Sequence, residues 1–183
     1  SLILAQKTTA FIDAVEISKS AAVQARENVA ASDWKQRIKL FETAVQDFRS
    51  KEKYDLIISN PPFFQNDLPS PAEDKNIAKH SSSLSLGELF ETIHDHISEK
   101  GFAALLLPYH RREEAKKIAA KYHLNLLNEI SVKQSSLHSY FRSMLLFGNH
   151  PETFQPVEIM IRGTQTDSSE PFKELLNDYY LYL

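Results

Sequence analysis

Short apolar runs alternate with longer amphipathic stretches along this chain, and no other feature restricts its fold as much. Phe11–Ile17 (FIDAVEI), Ile38–Phe41, Tyr54–Ser59 (YDLIIS) and Phe102–Leu107 read as strands, the third as a buried one. Between them, Lys19–Ala31 reads as a helix capped by Ser18, and Ala44–Phe48 as one helical turn. Leu84–Glu99 reads as an amphipathic helix closed by Lys100-Gly101, and Arg111–Tyr122 as a further helix. Strands separated by helices imply βαβ units, hence a mainly parallel sheet with helices on both faces. Leu124–Val132 and Tyr140–Phe147 have only Lys133–Ser139 between them. That is too short for a helical crossover, so this pair is expected to be antiparallel. Val157–Ile161 is expected as an edge strand and Phe172–Tyr180 as a terminal helix.

Composition narrows the class further. The chain of 183 residues is 42% hydrophobic and 25% charged, as an ordinary globular domain is. No apolar stretch approaches the ~20 residues of a membrane span, and no basic flank precedes Leu2-Ile3-Leu4. Cysteine is absent, which excludes disulfides and thiolate metal sites and fits a cytoplasmic location. A formal net charge of −3 excludes a grip on nucleic acid over the whole surface, while leaving room for a local basic patch.

One tetrapeptide carries chemistry. Asn60-Pro61-Pro62-Phe63 directly follows the apolar run Tyr54–Ser59, at the expected carboxyl end of a parallel strand. Ligands of open α/β sheets bind in the crevice at that edge. Pro62 forces Pro61 out of the helical region, and the result is a stiff, extended corner. Asn60 offers a side-chain carbonyl oxygen and Pro61 a peptide carbonyl, two acceptors that suit an –NH2 group with two hydrogens to donate. Phe63 offers a ring face on which a planar base can stack. At average residue frequencies such a tetrapeptide arises by chance in about one chain per thousand of this length. It opens a loop of mainly polar residues, Asn60–Ser83, that carries four prolines in all.

In these residues the stretch from Phe11 to Pro108 resembles the amino-methyltransferases of the N-P-P-[FY] group. The resemblance implies a class I, Rossmann-like fold, S-adenosylmethionine as cofactor, and methylation of an exocyclic amino group. It implies that Glu16, in Asp13-Ala14-Val15-Glu16-Ile17, accepts hydrogen bonds from the cofactor's ribose hydroxyls, with Ile17 beside it. It likewise implies that Asp47 meets the cofactor's adenine amino group and that Phe48 lies beside the adenine ring. Asn60 would touch the cofactor as well as the substrate. Ser18 stands where many members of the group carry a second acidic residue. In the group a first strand and a glycine-rich turn precede the second strand. The four glycines here are Gly87, Gly101, Gly148 and Gly163, none of them before Phe11. The opening Ser1–Gln6 matches the helix that follows that turn. The expectation is a single methyltransferase domain over residues 1–183, N-terminally incomplete, missing its first strand and not active on its own.

Within the group, the whole-chain pattern is similar to the bacterial tRNA adenine-N6 methyltransferases that modify the adenine 3′ to the anticodon of a valine tRNA. The features in question are the Phe at position 63, the loop with Lys75, Lys79 and His80 that follows it, and the closing strand Phe141-Arg142-Ser143-Met144-Leu145-Leu146-Phe147 with an aromatic-rich helix at the chain's end. This implies tRNA as partner, a flipped adenine held near Phe63 and Phe64, and contacts from His80 and Arg142 to the RNA. His80 reads equally as a surface loop histidine. Lys133 and the series from Arg111 to Lys121 are further candidates for phosphates, although Glu113 and Glu114 interrupt the series. His94 and His96 lack the i, i+4 spacing of a zinc pair and read as surface residues. Guanine-N2 methylation of ribosomal RNA, glutamine-N5 methylation of a release factor and adenine methylation of DNA share the tetrapeptide chemistry and remain open at this point.

Overall fold

The computed structural model describes residues 1–61, 84–163 and 167–179. It divides into two compact units, Ser1–Lys51 and Glu52–Leu183. In the first, α1 (Leu2–Lys7) leads to β1 (Ile12–Glu16), α2 (Lys19–Ala30) and β2 (Ile38–Glu42). β1 and β2 pair in parallel, with Ile12 opposite Ile38 and Glu16 opposite Glu42. Ser18 caps α2 as expected, its hydroxyl accepting from the Ala21 N–H at 3.4 Å. Arg37 locks the entry to β1 by donating to the carbonyls of Ala5, Thr8 and Ala10 at 2.7, 3.0 and 2.9 Å. Three carbonyls around the end of α1, otherwise left to water, are thereby satisfied by one guanidinium.

The second unit holds β3 (Tyr54–Ser59), α3 (Leu86–His96), β4 (Ile97–Pro108), α4 (Arg112–Lys121), β5 (Asn125–Lys133), β6 (Tyr140–Gly148), β7 (Val157–Met160) and α5 (Glu170–Leu176). Its sheet runs β3-β4-β6-β5-β7. β3 and β4 are parallel, β5 and β7 are parallel, and β6 is antiparallel to both of its neighbours. The antiparallel β5–β6 pair and the β7 edge strand match the sequence reading. Four of these five strands therefore point the same way, and their carboxyl ends share one edge.

Helix α3 forms because Leu86, Leu89, Phe90 and Ile93 recur at helical spacing and all are buried. A capping box starts it: the Ser85 hydroxyl accepts from the Glu88 N–H, and the Glu88 carboxylate accepts from the Ser85 N–H. These residues join Ala115 and Ala119 of α4 and Ala103, Leu105, Leu107, Leu145 and Phe147 of the sheet in one core, where Phe90 meets Phe147 edge-on at 5.2 Å. In this unit α3 and α4 thus share a single face of the sheet. Successive right-handed crossovers that advance in one direction across a sheet put their helices on the same side.

Three expectations are corrected. Tyr54–Ser59 is not a buried strand: it is the outer strand of its sheet, and Leu56 and Ile58 are 49% and 52% exposed while Ile57 alternates inward. Helix α3 stops at His96, and β4 begins at once with Ile97. Opposite the single residue Asp55, β4 bulges through Ser98–Gly101. The Asn149 amide donates to the Ser98 and Glu99 carbonyls, and Ser98 donates to the Asp55 carboxylate at 3.0 Å. Gly101 is therefore a close-approach residue inside a strand and not a helix terminator: a Cβ there would lie 2.7 Å from the Tyr54 carbonyl oxygen. Third, His96 is buried, its Nδ1 2.8 Å from the Thr92 carbonyl, while His94 is exposed as expected.

Gly101→Ala is expected to destabilise the protein by about 1–3 kcal/mol, because backbone and not a flexible side chain must yield. Gly87→Ala, with only the Ser85 hydroxyl at 3.8 Å, should be neutral or slightly stabilising. Urea unfolding of the two variants tests the contrast; equal midpoints would refute it.

Candidate functional site

The carboxyl edge of each parallel pair is where the sequence-predicted residues fall. Within the first unit, Glu16 ends β1, and its half-buried carboxylate accepts from the Ser18 N–H through Oε1 at 2.8 Å. Among the described residues that leaves Oε2 for a further donor, and the fold of the β1–α2 turn fixes where it points. Ile17 follows it, exposed. At the end of β2 a single 3-10 turn, Val45–Asp47, presents the exposed Asp47 carboxylate. Phe48 is buried and packs edge-on against Phe41 at 5.1 Å, so its ring anchors the turn that carries Asp47. Two carboxylates on well-anchored turns fit the hydroxyls and the amino group of a nucleoside.

Within the second unit, Asn60 and Pro61 leave the end of β3. Ser59 stands opposite Leu105 on the parallel β4, so the corner lies at the edge where β4 ends in Pro108. Asn60 is exposed and Pro61 buried. Among the described residues no hydrogen bond engages the Asn60 amide, whose carbonyl oxygen is available as an acceptor. Pro62, Phe63, Phe64 and His80 lie outside the described residues. Arg142 is on β6, in register with Pro108 and Val132, at the same edge.

The basic series from Arg111 onward is largely engaged within the protein. Arg111 pairs with Glu114 at 3.0 Å, and Lys116 bridges Glu113 at 3.0 Å and the buried Glu129 at 2.7 Å. Burial pulls the Lys116 ammonium down, but the hydrogen bonds and charges of Glu129 and Glu113 outweigh it and leave its pKa raised. At the far end of β5, Lys133 pairs with Glu158 at 2.9 Å, and the Tyr140 hydroxyl donates to the same carboxylate. No group of three or more His, Asp or Glu able to hold a metal ion occurs among the described residues, and no described helix is long and apolar enough to cross a membrane. Sequence reasoning missed Tyr109 and Tyr140, whose rings meet at this edge with centroids 4.8 Å apart. Their signal was positional: each stands at the end of an apolar run that the edge exposes.

The fold and these edges define a class I, S-adenosylmethionine-dependent methyltransferase. Residues 1–102 match the family described as Methyltransferase small domain. A structure described as a predicted O-methyltransferase from Agrobacterium tumefaciens superposes with a TM-score of 0.67 at 16% identity, covering 94% of this chain and 80% of that one. A methyltransferase from Pyrococcus furiosus does so with 0.54 at 19%, covering 81% and 68%. At such identities the likeness speaks for the fold alone. Sequence relatives are nearer. The tRNA1(Val) (adenine(37)-N6)-methyltransferase of Bacteroides thetaiotaomicron is 32% identical over 185 residues, which cover all of this chain and 78% of that protein. Its counterpart from Dyadobacter fermentans is 37% identical over 186 residues, covering 99% and 78%. The chain belongs to the tRNA1(Val) (adenine(37)-N6)-methyltransferase family.

The Glu158 cluster gives a pH signature. Hydrogen bonds from Tyr140 and Lys133 hold the Glu158 carboxyl below the usual carboxylate range, while the hydrogen bond to Glu158 raises both Tyr140 and Lys133. A lowered acid stabilises the fold above its unfolded pKa and loses that contribution as pH falls through its folded value. The two raised groups lose theirs as pH climbs from their ordinary values through the raised ones. Glu158→Gln should therefore flatten both the acid and the alkaline limb of the thermal-stability profile relative to wild type. Superimposable profiles would show that the cluster contributes nothing.

Proposed function

We propose that Asn60 and Pro61 hold the N6 amino group of an adenine in tRNA while it takes a methyl group; for the relatives the named position is adenine 37 of tRNA1(Val). The observation that carries this is the exposed Asn60 amide at the carboxyl end of β3, next to a buried proline that stiffens its backbone. The nitrogen of an aromatic amine is a poor nucleophile, because its lone pair is delocalised into the ring. Two acceptors, the Asn60 side-chain oxygen and the Pro61 carbonyl, take one N–H each, favour a pyramidal nitrogen and stabilise the positive charge that grows on it. No strong base is needed, since the amine can release its proton to water after the new N–C bond has formed. S-adenosylmethionine supplies the electrophilic methyl. On this reading Glu16 and Asp47 hold its ribose and adenine, with Ile17 and Phe48 flanking them. Phe63 and Phe64 stack the target base, and His80 and Arg142 meet the RNA. Residues 1–183 then belong to one methyltransferase domain working in the cytoplasm.

Labelled methyl transfer to tRNA from a strain lacking the modification tests the substrate; transfer to ribosomal RNA or to a release-factor peptide instead would overturn it. Asn60→Ala should lower kcat on the order of a hundredfold with cofactor affinity kept, whereas Glu16→Gln should weaken cofactor binding about tenfold, the loss of one charge-assisted hydrogen bond. Calorimetric titration with S-adenosylmethionine separates the two, and an unchanged kcat in Asn60→Ala would remove the acceptor role.

A further inference from the structure

The sheet edge that carries Asn60 also carries a cluster for which methyl transfer has no use. Pro108 ends β4 and passes the chain into the turn Tyr109–Arg111, and Tyr140 opens β6 beside it. The Tyr109 and Tyr140 rings lie 4.8 Å apart, tilted by 35°. The Arg112 guanidinium sits 3.8 Å from the Tyr109 ring centroid, the Lys133 ammonium 5.4 Å from that of Tyr140, and the Arg142 guanidinium 5.6 Å from that of Phe141.

Packing explains part of this arrangement. Glu158 engages Tyr140 and Lys133, and Glu113 and Glu129 engage Arg112. It does not explain Phe141. From Arg142 onward side chains alternate along β6, with Ser143, Leu145 and Phe147 wholly buried on one face; the register with β5 shifts where Lys133 pairs with Tyr140, so the strand is irregular at Phe141. Phe141 itself is 40% exposed, and Leu137 in the β5–β6 connection is 92% exposed. Large apolar side chains are thus left in solvent at this end of the strand pair. It does so in the most basic part of the chain: from Tyr109 to Ser143 there are seven Lys and Arg against three Glu, in a protein of net charge −3. An exposed ring beside two half-buried ones, set among cations, suits a polyanion that presents flat bases, and it suits an acidic protein surface less well.

We propose that Phe141 and the Tyr109–Tyr140 pair form a stacking platform for the unpaired nucleotides that flank the target base in an RNA loop, with Arg142 at a backbone phosphate. The proposal rests on the reading of tRNA as the substrate and adds to it where the loop lies. β6 is two strands from β3, roughly 10 Å across the sheet at the usual strand spacing. A nucleotide one or two positions from a base held at Asn60 spans that distance. The platform binds by shape and stacking, so it sets affinity for the loop and leaves the chemical step to the Asn–Pro corner.

Fluorescence anisotropy of the full-length protein with a labelled anticodon stem-loop of a valine tRNA tests this. Phe141→Ala should weaken binding at least tenfold, as the loss of one stacked base does, and Phe141→Tyr should restore it. Arg142→Gln should reduce the slope of log affinity against log salt by about 0.7, one single-strand phosphate contact. In steady state both changes should raise KM for RNA with kcat and cofactor affinity kept, which a general loss of structure would not do. Wild-type RNA affinity and salt slope in Phe141→Ala and Arg142→Gln would overturn the platform, as would loss of self-association in sedimentation with RNA binding intact, which would assign the face to a second copy. The outcomes remain separable from the function itself. A wild-type protein that methylates tRNA while Phe141→Ala keeps its KM refutes the platform alone; a wild-type protein that methylates ribosomal RNA instead refutes the substrate reading.

Discussion

The parallel pairing of β3 with β4 is the constraint on which the second unit depends. Because Ser59 lies opposite Leu105, both strands end at one edge, and the Asn60-Pro61 corner and the Pro108-Tyr109 turn leave the sheet there together. An antiparallel β4 would carry Tyr109 to the far end of the sheet. Parallel strands need a crossover, and α3 supplies it, held down by the stripe Leu86, Leu89, Phe90, Ile93. The insertion of β6 between β4 and β5, opposed to both, then brings the start of β6 to the same edge. Residues far apart in sequence, Asn60, Tyr109, Lys133 and Arg142, meet along one side because of three registers.

Much of this was legible in the sequence, and the places that were not have identifiable physical causes. The periods of two and 3.6 located β1 to β7 and α2 to α5, the resemblance located α1, and the short Lys133–Ser139 connection dictated the antiparallel pair. The boundary between α3 and β4 was misread, because Ile97 stands four residues after Ile93 and continues the helical stripe, and because a glycine after charged residues resembles a helix end. What decides between helix and bulge is the Asn149 amide, some fifty residues away, which receives no weight in a local pattern. His96 carried a readable clue: it stands three residues after Ile93 and seven after Leu89, on the apolar stripe. The Asn60 corner was legible because its signal is local: two prolines fix a backbone without help from anything distant. The Tyr109–Tyr140 contact was not, since it exists only through the β4–β6 register.

The two sets of site residues also differ in how firmly they are held. Glu16 is tied by its own carboxylate to the start of α2, and Asp47 rides on a turn anchored by Phe48 against Phe41. The Glu16 side chain is thus oriented by its own hydrogen bond, and the backbone beneath Asp47 by packing; on the proposed reading this limits the entropy lost on binding. Asn60 is fixed differently. Its side chain is exposed and makes no hydrogen bond among the described residues, so the rigidity resides in the backbone, in the strand before it and the buried Pro61 after it. On the proposed reading, a group that grips an amine as charge develops gains where no described neighbour competes for it.

Charge distribution follows the same division of labour. Most cations of the α4 region are tied to Glu113, Glu114 and Glu129, so a count of basic residues overstates the charge that region offers a phosphate. Their carboxylates nonetheless hold Arg112 over Tyr109 and Lys116 against β5, and in that way fix the rings at the sheet edge. An aromatic surface stiffened by internal ion pairs can stack a base without being drawn indiscriminately to every duplex backbone, which a chain of net negative charge would in any case repel. Selectivity for unpaired loops then follows from what the surface offers: ring faces, which a paired and stacked base cannot reach.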